Sequence, residues 1–164
     1  MSIDTLVPIL ADNGSWILFL LVMLENLGIP GYPGGFTLPI IGAASRMGYI
    51  DLPTSLALSF TASSLTMVLV YLFGRFCGRW ITHKLGDNPG FQKHYQRIQQ
   101  LLEQYGSPAI FIVRLIPVVR IFGSITAGLL NMEWKRYCIY SLAGNLVYTV
   151  VAMMAGYYSA GVLL

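Results

Sequence analysis

Two arginines stand six residues apart in an otherwise apolar stretch, Phe111-Ile-Val-Arg114-Leu-Ile-Pro117-Val-Val-Arg120. A charge at membrane depth is costly, so such residues usually face a cavity or a partner and mark a substrate path. On an unbroken helix a spacing of six places them about 240° apart. Pro117 lies midway and can break the helix, which would let the guanidinium groups converge from either side of a turn. Two converging guanidiniums in a low-dielectric pocket make a site for phosphate or carboxylate. The alternative is that each arginine snorkels to the interface from a helix end.

Glu25 is the one charge between Asp12 and Arg46, in Leu24-Glu25-Asn26-Leu27-Gly28. A carboxylate at the end of an apolar helix meets the negative end of the dipole, and desolvation favours its protonated form. Glu25 is therefore a candidate proton carrier or a partner for Arg114 or Arg120. Its other reading is an interfacial residue that ends a helix in headgroup water. Asn145 lies deep in the last apolar run, where it either bonds across a helix interface or faces the site. Ser55, Ser59, Ser63 and Thr66 form a small polar stripe suited to close helix packing. Other chemistry is poorly served. His83 and His94 are the only histidines and both lie in a polar linker. Cys77 and Cys138 have no C-x-x-C spacing. Neither a P-loop nor a G-x-S-x-G element occurs. No enzyme activity and no metal site are expected.

The elements that position these residues follow from composition. The chain has 164 residues, 55% hydrophobic and only 10% charged, with a formal net charge of +3. A soluble domain carries about 25% charged residues, so the expectation is an all-α polytopic membrane protein. Leu52 to Gly74 and Tyr137 to Leu164 carry no charge, and each exceeds the roughly 20 residues needed to cross a bilayer. The N-terminal apolar segment lacks a basic start and an A-x-A site, so no cleaved signal peptide is expected. Pro30, Pro33, Pro39 and a cluster of glycines including Gly34 interrupt one further apolar segment. Pro108, Pro117, Gly123 and Gly128 interrupt another. Broken backbone at membrane depth is tolerated only where protein buries it or water reaches it. Both segments therefore read as re-entrant hairpins. Asp87-Asn88-Pro89-Gly90 is a helix start. Phe91, Tyr95, Ile98, Leu102 and Tyr105 then form one apolar stripe, as on an amphipathic helix at the membrane surface.

The expected order within a single membrane domain, 1–164, is an N-terminal helix (1–25), a re-entrant hairpin (26–50) and a transmembrane helix (52–76). An amphipathic helix (88–105), a second hairpin (106–131) and a second transmembrane helix (134–162) follow. Arg75, Arg79, Lys84, Lys93, Arg97, Lys135 and Arg136 set their segments on the cytoplasmic side by the positive-inside rule. The hairpins then enter from opposite faces, which makes the halves an inverted repeat. Gly74 aligns with Gly156 at an offset of 82, and Gly42 with Gly128 at 86. Inverted repeats with discontinuous helices are a common transporter design.

These residues resemble the DedA family, the SNARE-associated or VTT-domain group. Its first signature is similar to Glu25-Asn-Leu-Gly28-Ile-Pro30-Gly-Tyr-Pro33-Gly34. Its second is similar to Phe111-Ile-Val-Arg114-Leu-Ile-Pro117-Val-Val-Arg120 followed by Ala127-Gly128 and Met132. Tyr71-Leu-Phe-Gly74-Arg75-Phe-Cys-Gly78 is similar to a motif between them. The resemblance runs from about Glu25 to Gly161. It implies transport of undecaprenyl phosphate or phospholipid between leaflets of the cytoplasmic (inner) membrane, in some members with protons. The residues it implies are Glu25, Arg114 and Arg120. Gly35 stands where many members have a second acid, and Tyr148 where they have Trp. The expected ligand is a membrane lipid with an anionic phosphate. No nucleic acid is expected, no cofactor beyond transported protons, and a homodimer is allowed for. Rival readings are a phosphatidylethanolamine scramblase, a proton- or ion-coupled small-solute transporter, and an enzyme acting on lipid phosphate.

Overall fold

The computed structural model describes residues 16–27, 35–116 and 119–163. Pro30, Pro33, Gly34 and Pro117, the expected hairpin breaks, lie outside those ranges. The described residues contain helices and no strand. The helices are α1 (Trp16–Leu27), α2 (Thr37–Arg46), α3 (Leu52–Phe76), α4 (Gly78–Leu85), α5 (Pro89–Tyr105), α6 (Ala109–Arg114), α7 (Val119–Leu129) and α8 (Trp134–Leu163).

Two of these helices, α3 and α8, are long and apolar enough to cross a membrane. With 25 residues, α3 reaches about 37 Å at 1.5 Å per residue, more than the roughly 30 Å of a hydrocarbon core. The distribution of side chains on α3 is the reverse of a soluble helix. Ser55, Ser59, Ser63 and Thr66 are buried, while Leu65, Leu69 and Phe73 are exposed. The same holds on α8, where Ser141, Asn145 and Thr149 are buried and Ile139, Leu146 and Val151 are exposed. Such a surface would associate in water. In lipid it leaves small residues to let helices approach and hydroxyls to bond across them.

The contacts gather into two compact units, residues 1–63 with 148–164, and residues 64–147. The divisions fall inside α3 and α8. The first unit packs Leu18, Val22, Leu38, Ile41, Ala62 and Met153 together. The second packs Tyr71, Ile110, Ala127 and Tyr137. Each unit closes on a reciprocal glycine seam. In the first, a Cβ on Gly42 of α2 would strike the Met153 carbonyl of α8, and one on Gly156 would strike the Pro39 carbonyl of α2. In the second, a Cβ on Gly128 of α7 would strike the Tyr71 carbonyl of α3, and one on Gly74 would lie 2.6 Å from the Ile125 carbonyl of α7. The offsets of 82 and 86 that align the glycines also align Tyr71 with Met153 and Pro39 with Ile125. The same four-point contact thus occurs once in each unit. Gly128, expected at a hairpin break, lies inside α7, where it lets two backbones touch.

Local signals explain α5. The Asn88 side chain accepts from the N–H groups of Gly90 and Phe91, and Pro89 opens the helix. Gly106, at φ 66°, ends it with its N–H on the Leu102 carbonyl. The apolar stripe was expected to rest on the membrane. Its first and third members, Phe91 and Ile98, are instead buried, and α5 packs on α6 and α7. The Phe122 ring of α7 lies 6.5 Å from Phe91 and 4.7 Å from His94. Residues 78–85, read as linker, form α4.

Candidate functional site

The α6–α7 pair carries both arginines. Helix α6 ends at Arg114, with the Leu115 N–H turned back to the Ile112 and Val113 carbonyls. Helix α7 begins at Val119. The helix is therefore interrupted between the arginines, as their spacing about Pro117 suggested. Gly123 brings the two limbs together, since a Cβ there would lie 2.5 Å from Val113 Cγ1. Both arginines are buried, Arg114 at 5% and Arg120 at 3% exposure. That is not the geometry of a side chain reaching outward from a helix end.

Arg114 is held by hydroxyl groups. Its Nη2 donates to Ser124 Oγ at 2.7 Å, to Tyr137 Oη at 2.7 Å and to Ser141 Oγ at the 3.5 Å limit. The bond to Ser124 ties the two arginine-bearing helices together, and Ser124 also donates to the Arg120 carbonyl of its own helix at 3.4 Å. Tyr137, Ser141 and Gly144 recur at i, i+4 and i+7 and so lie on one face of α8. Gly144 is what brings that face close. A Cβ there would lie 2.8 Å from Arg114 Cβ and 3.0 Å from the Phe111 carbonyl.

Tyr137 extends the arrangement. Its hydroxyl donates to the Met67 carbonyl at 3.0 Å, and its ring stacks on Tyr71 at 4.3 Å. The Tyr71 hydroxyl in turn donates to the Met132 carbonyl at 2.6 Å and accepts from Arg75 Nη1 at 3.0 Å. Asn145, one position beyond Gly144, donates to Ser64 Oγ of α3 at 3.2 Å. Ser124, Tyr137 and Ser141 escaped the sequence reading. A heptad-like run of Tyr, Ser and Gly at the start of an apolar span was the signal available for two of them. Ser124, four residues after Arg120, was the signal for the third.

Glu25 belongs to the first unit. Leu18, Val22 and Glu25 share one face of α1, and all three are buried, Glu25 at 2% exposure. The helix continues past Glu25 to Leu27, so this carboxyl does not close it. Its Oε1 accepts the backbone N–H of Gly35 at 2.7 Å, just before α2 begins. Gly35 has φ 99°, a conformation that side-chain-bearing residues rarely adopt. A side chain at this position, such as the second acid that the resemblance implies, would be strained on such a backbone. Among the described residues no group of three or more His, Cys, Asp and Glu could hold a metal ion.

The arrangement can therefore hold an anion. Arg114 is a buried cation whose bonds, among the described residues, go to neutral hydroxyls and not to a carboxylate. A buried charge without a counter-charge is unfavourable, and an incoming phosphate would relieve it. The family model described as the VTT domain matches residues 29–158. Protein DedA of Escherichia coli (strain K12) is 29% identical, over 93% of this chain and 73% of the relative. The membrane protein YbfM of Bacillus subtilis (strain 168) is 25% identical, over 90% of this chain and 91% of its own length. Undecaprenyl phosphate transporter A of Staphylococcus aureus is 26% identical, over 85% of this chain and 70% of its own. No solved structure matches.

Proposed function

The chain belongs to the VTT-domain family of membrane proteins, and we propose that it moves a phosphate-bearing lipid between the leaflets of the cytoplasmic membrane. The observation that carries this reading is the buried Arg114 guanidinium bound to hydroxyls among the described residues. Arg114 and Arg120 bind the phosphate, and the lipid tail stays in hydrocarbon throughout. That spares the tail an aqueous passage and confines the unfavourable step to the headgroup. Two relatives bear the name undecaprenyl phosphate transporter A, which supports that lipid as first candidate. No covalent step is assigned to the site, and the protein acts as a carrier and not an enzyme.

The reading includes an inverted repeat. Helices α2 and α7, of 10 and 11 residues, are about half the length that crosses a bilayer, which suits the inner limbs of two re-entrant hairpins. The matched glycine seams support the pairing of the halves. Glu25 is the coupling residue if protons drive transport. Gly35 in the place of a second acid favours another version, uncoupled scrambling of a phospholipid such as phosphatidylethanolamine.

Reconstituted protein should translocate labelled lipid, with undecaprenyl phosphate and phosphatidylethanolamine compared side by side. Arg114→Ala and Arg120→Ala should each lower the rate by about tenfold or more, the loss expected for a charge-assisted bond. Wild-type rates in both variants would end the phosphate-clamp reading.

A further inference from the structure

We propose that a cavity beside Arg75 is a second phosphate-binding site, which holds the headgroup of an anionic lipid at the end of α3. The cavity has a volume of about 530 Å³, and Arg75, Tyr95 and Asn131 line it together with Phe76 and Leu129. Such a volume is ample for a phosphate and the first atoms of an attached lipid. The lining pairs a guanidinium, an amide and a phenol with two large apolar side chains. That is the chemistry of an anionic head joined to an apolar tail.

Arg75 could be read simply as a basic residue at a helix C-terminus on the cytoplasmic side. Two observations go further. The guanidinium is oriented, since Nη1 donates to the Tyr71 hydroxyl, whose own proton is committed to the Met132 carbonyl. A guanidinium fixed by one edge presents its remaining donors in a set plane, which suits bidentate phosphate binding. Second, Arg75 is joined to the buried arginine by consecutive contacts. Arg75 bonds Tyr71, Tyr71 stacks on Tyr137 at 4.3 Å, and Tyr137 bonds Arg114. A phosphate drawing Arg75 away from Tyr71 would loosen the same aromatic pair that holds Arg114. As a receiving site on the transport path the cavity rests on the reading above. As a phosphate site it stands on its own residues.

The test uses full-length protein in phosphatidylcholine nanodiscs, with Trp16 and Trp80 replaced by Phe. Trp134, whose ring lies 5.2 Å from Tyr71, then reports alone. Phosphatidic acid should change its fluorescence saturably. Arg75→Gln should weaken that titration by about tenfold or more. Arg75→Lys, which keeps the charge but loses the planar fork, should recover only part of it, a rescue that misfolding would not give. An Arg114→Ala, Arg120→Ala double variant should keep the Arg75-dependent phase while losing translocation. Equal titrations in wild type and Arg75→Gln would overturn the site, as would a signal lost in the double variant and intact in Arg75→Gln. Both results leave the transport reading standing. Wild-type translocation by the double variant with the Arg75 phase present would instead remove the buried clamp and keep this site. Inorganic phosphate run in parallel separates the sources. Competition by it shows that the phosphate group is what binds, and binding of it without any of phosphatidic acid would overturn the lipid assignment.

Discussion

Replacing Tyr137 by Phe separates the stability of the buried site from its affinity for lipid, because the two should move in opposite directions. The ring stays, so its stack on Tyr71 is kept. The lost atom is the hydroxyl that accepts from Arg114 Nη2 at 2.7 Å and donates to the Met67 carbonyl. That carbonyl lies within α3 and keeps its helical bond, so its loss adds little. Bonds between helices in membranes average about 0.6 kcal/mol and reach about 1.7 kcal/mol. A charged donor places this bond near the upper end, about 1.5 kcal/mol. For a chain of this size the melting temperature should fall by about 3 to 6 °C. On the phosphate-clamp reading the same hydroxyl competes with phosphate for Nη2. Its removal should therefore raise headgroup affinity, by up to about tenfold. Thermal unfolding in detergent and a lipid titration on one preparation measure both. Weaker lipid binding with an unchanged melting temperature would refute the reasoning, because the hydroxyl would then be touching the lipid and not the arginine.

Two further outcomes follow from the seam and the carboxyl. Gly156→Ala should destabilise by about 1 to 3 kcal/mol, because its Cβ would lie 2.6 Å from Pro39 Cα and the obstacle is backbone. Gly161→Ala, whose nearest neighbour is Arg46 Nε at 3.4 Å, should leave thermal unfolding nearly unchanged. In Glu25→Gln the amide oxygen can still accept the Gly35 N–H, so the fold should survive. Transport in that variant should lose its dependence on pH if Glu25 carries the proton, and a wild-type pH profile would exclude that role.

What the sequence made legible was what neighbouring residues decide. Asn88 caps α5 through its own side chain, two and three residues away, so the turn at 87–90 was readable. The charge-free runs mark α3 and α8 because length alone decides whether a helix can span. The two arginines were readable because any charge in an apolar run stands out. The partners of Arg114 were not, since Ser124, Tyr137 and Ser141 lie 10, 23 and 27 residues away and serine is an ordinary packing residue in a membrane helix. The stripe on α5 showed that something covers Phe91 and Ile98, but periodicity carries no information on whether protein or lipid does so. In the sequence the glycine alignment is only two offsets, 82 and 86. Its meaning lies in which carbonyl each glycine touches, and that is a property of the packed state.

The first unit's seam also joins parts of the chain that are made at different times. Arg46 of α2 bonds Tyr157 of α8 across 111 residues. At roughly 5 to 20 residues per second, a ribosome needs about 5 to 20 s to pass from one to the other. The hydroxyls that hold Arg114 all lie within residues 64–147, so they are synthesised while α2 still waits for its partner. A nascent chain that stops before Met153 would carry the partners of Arg114 and an uncovered Gly42. Such a product would be structurally open, and membrane proteases that recognise loose helices would have a mark by which to remove it.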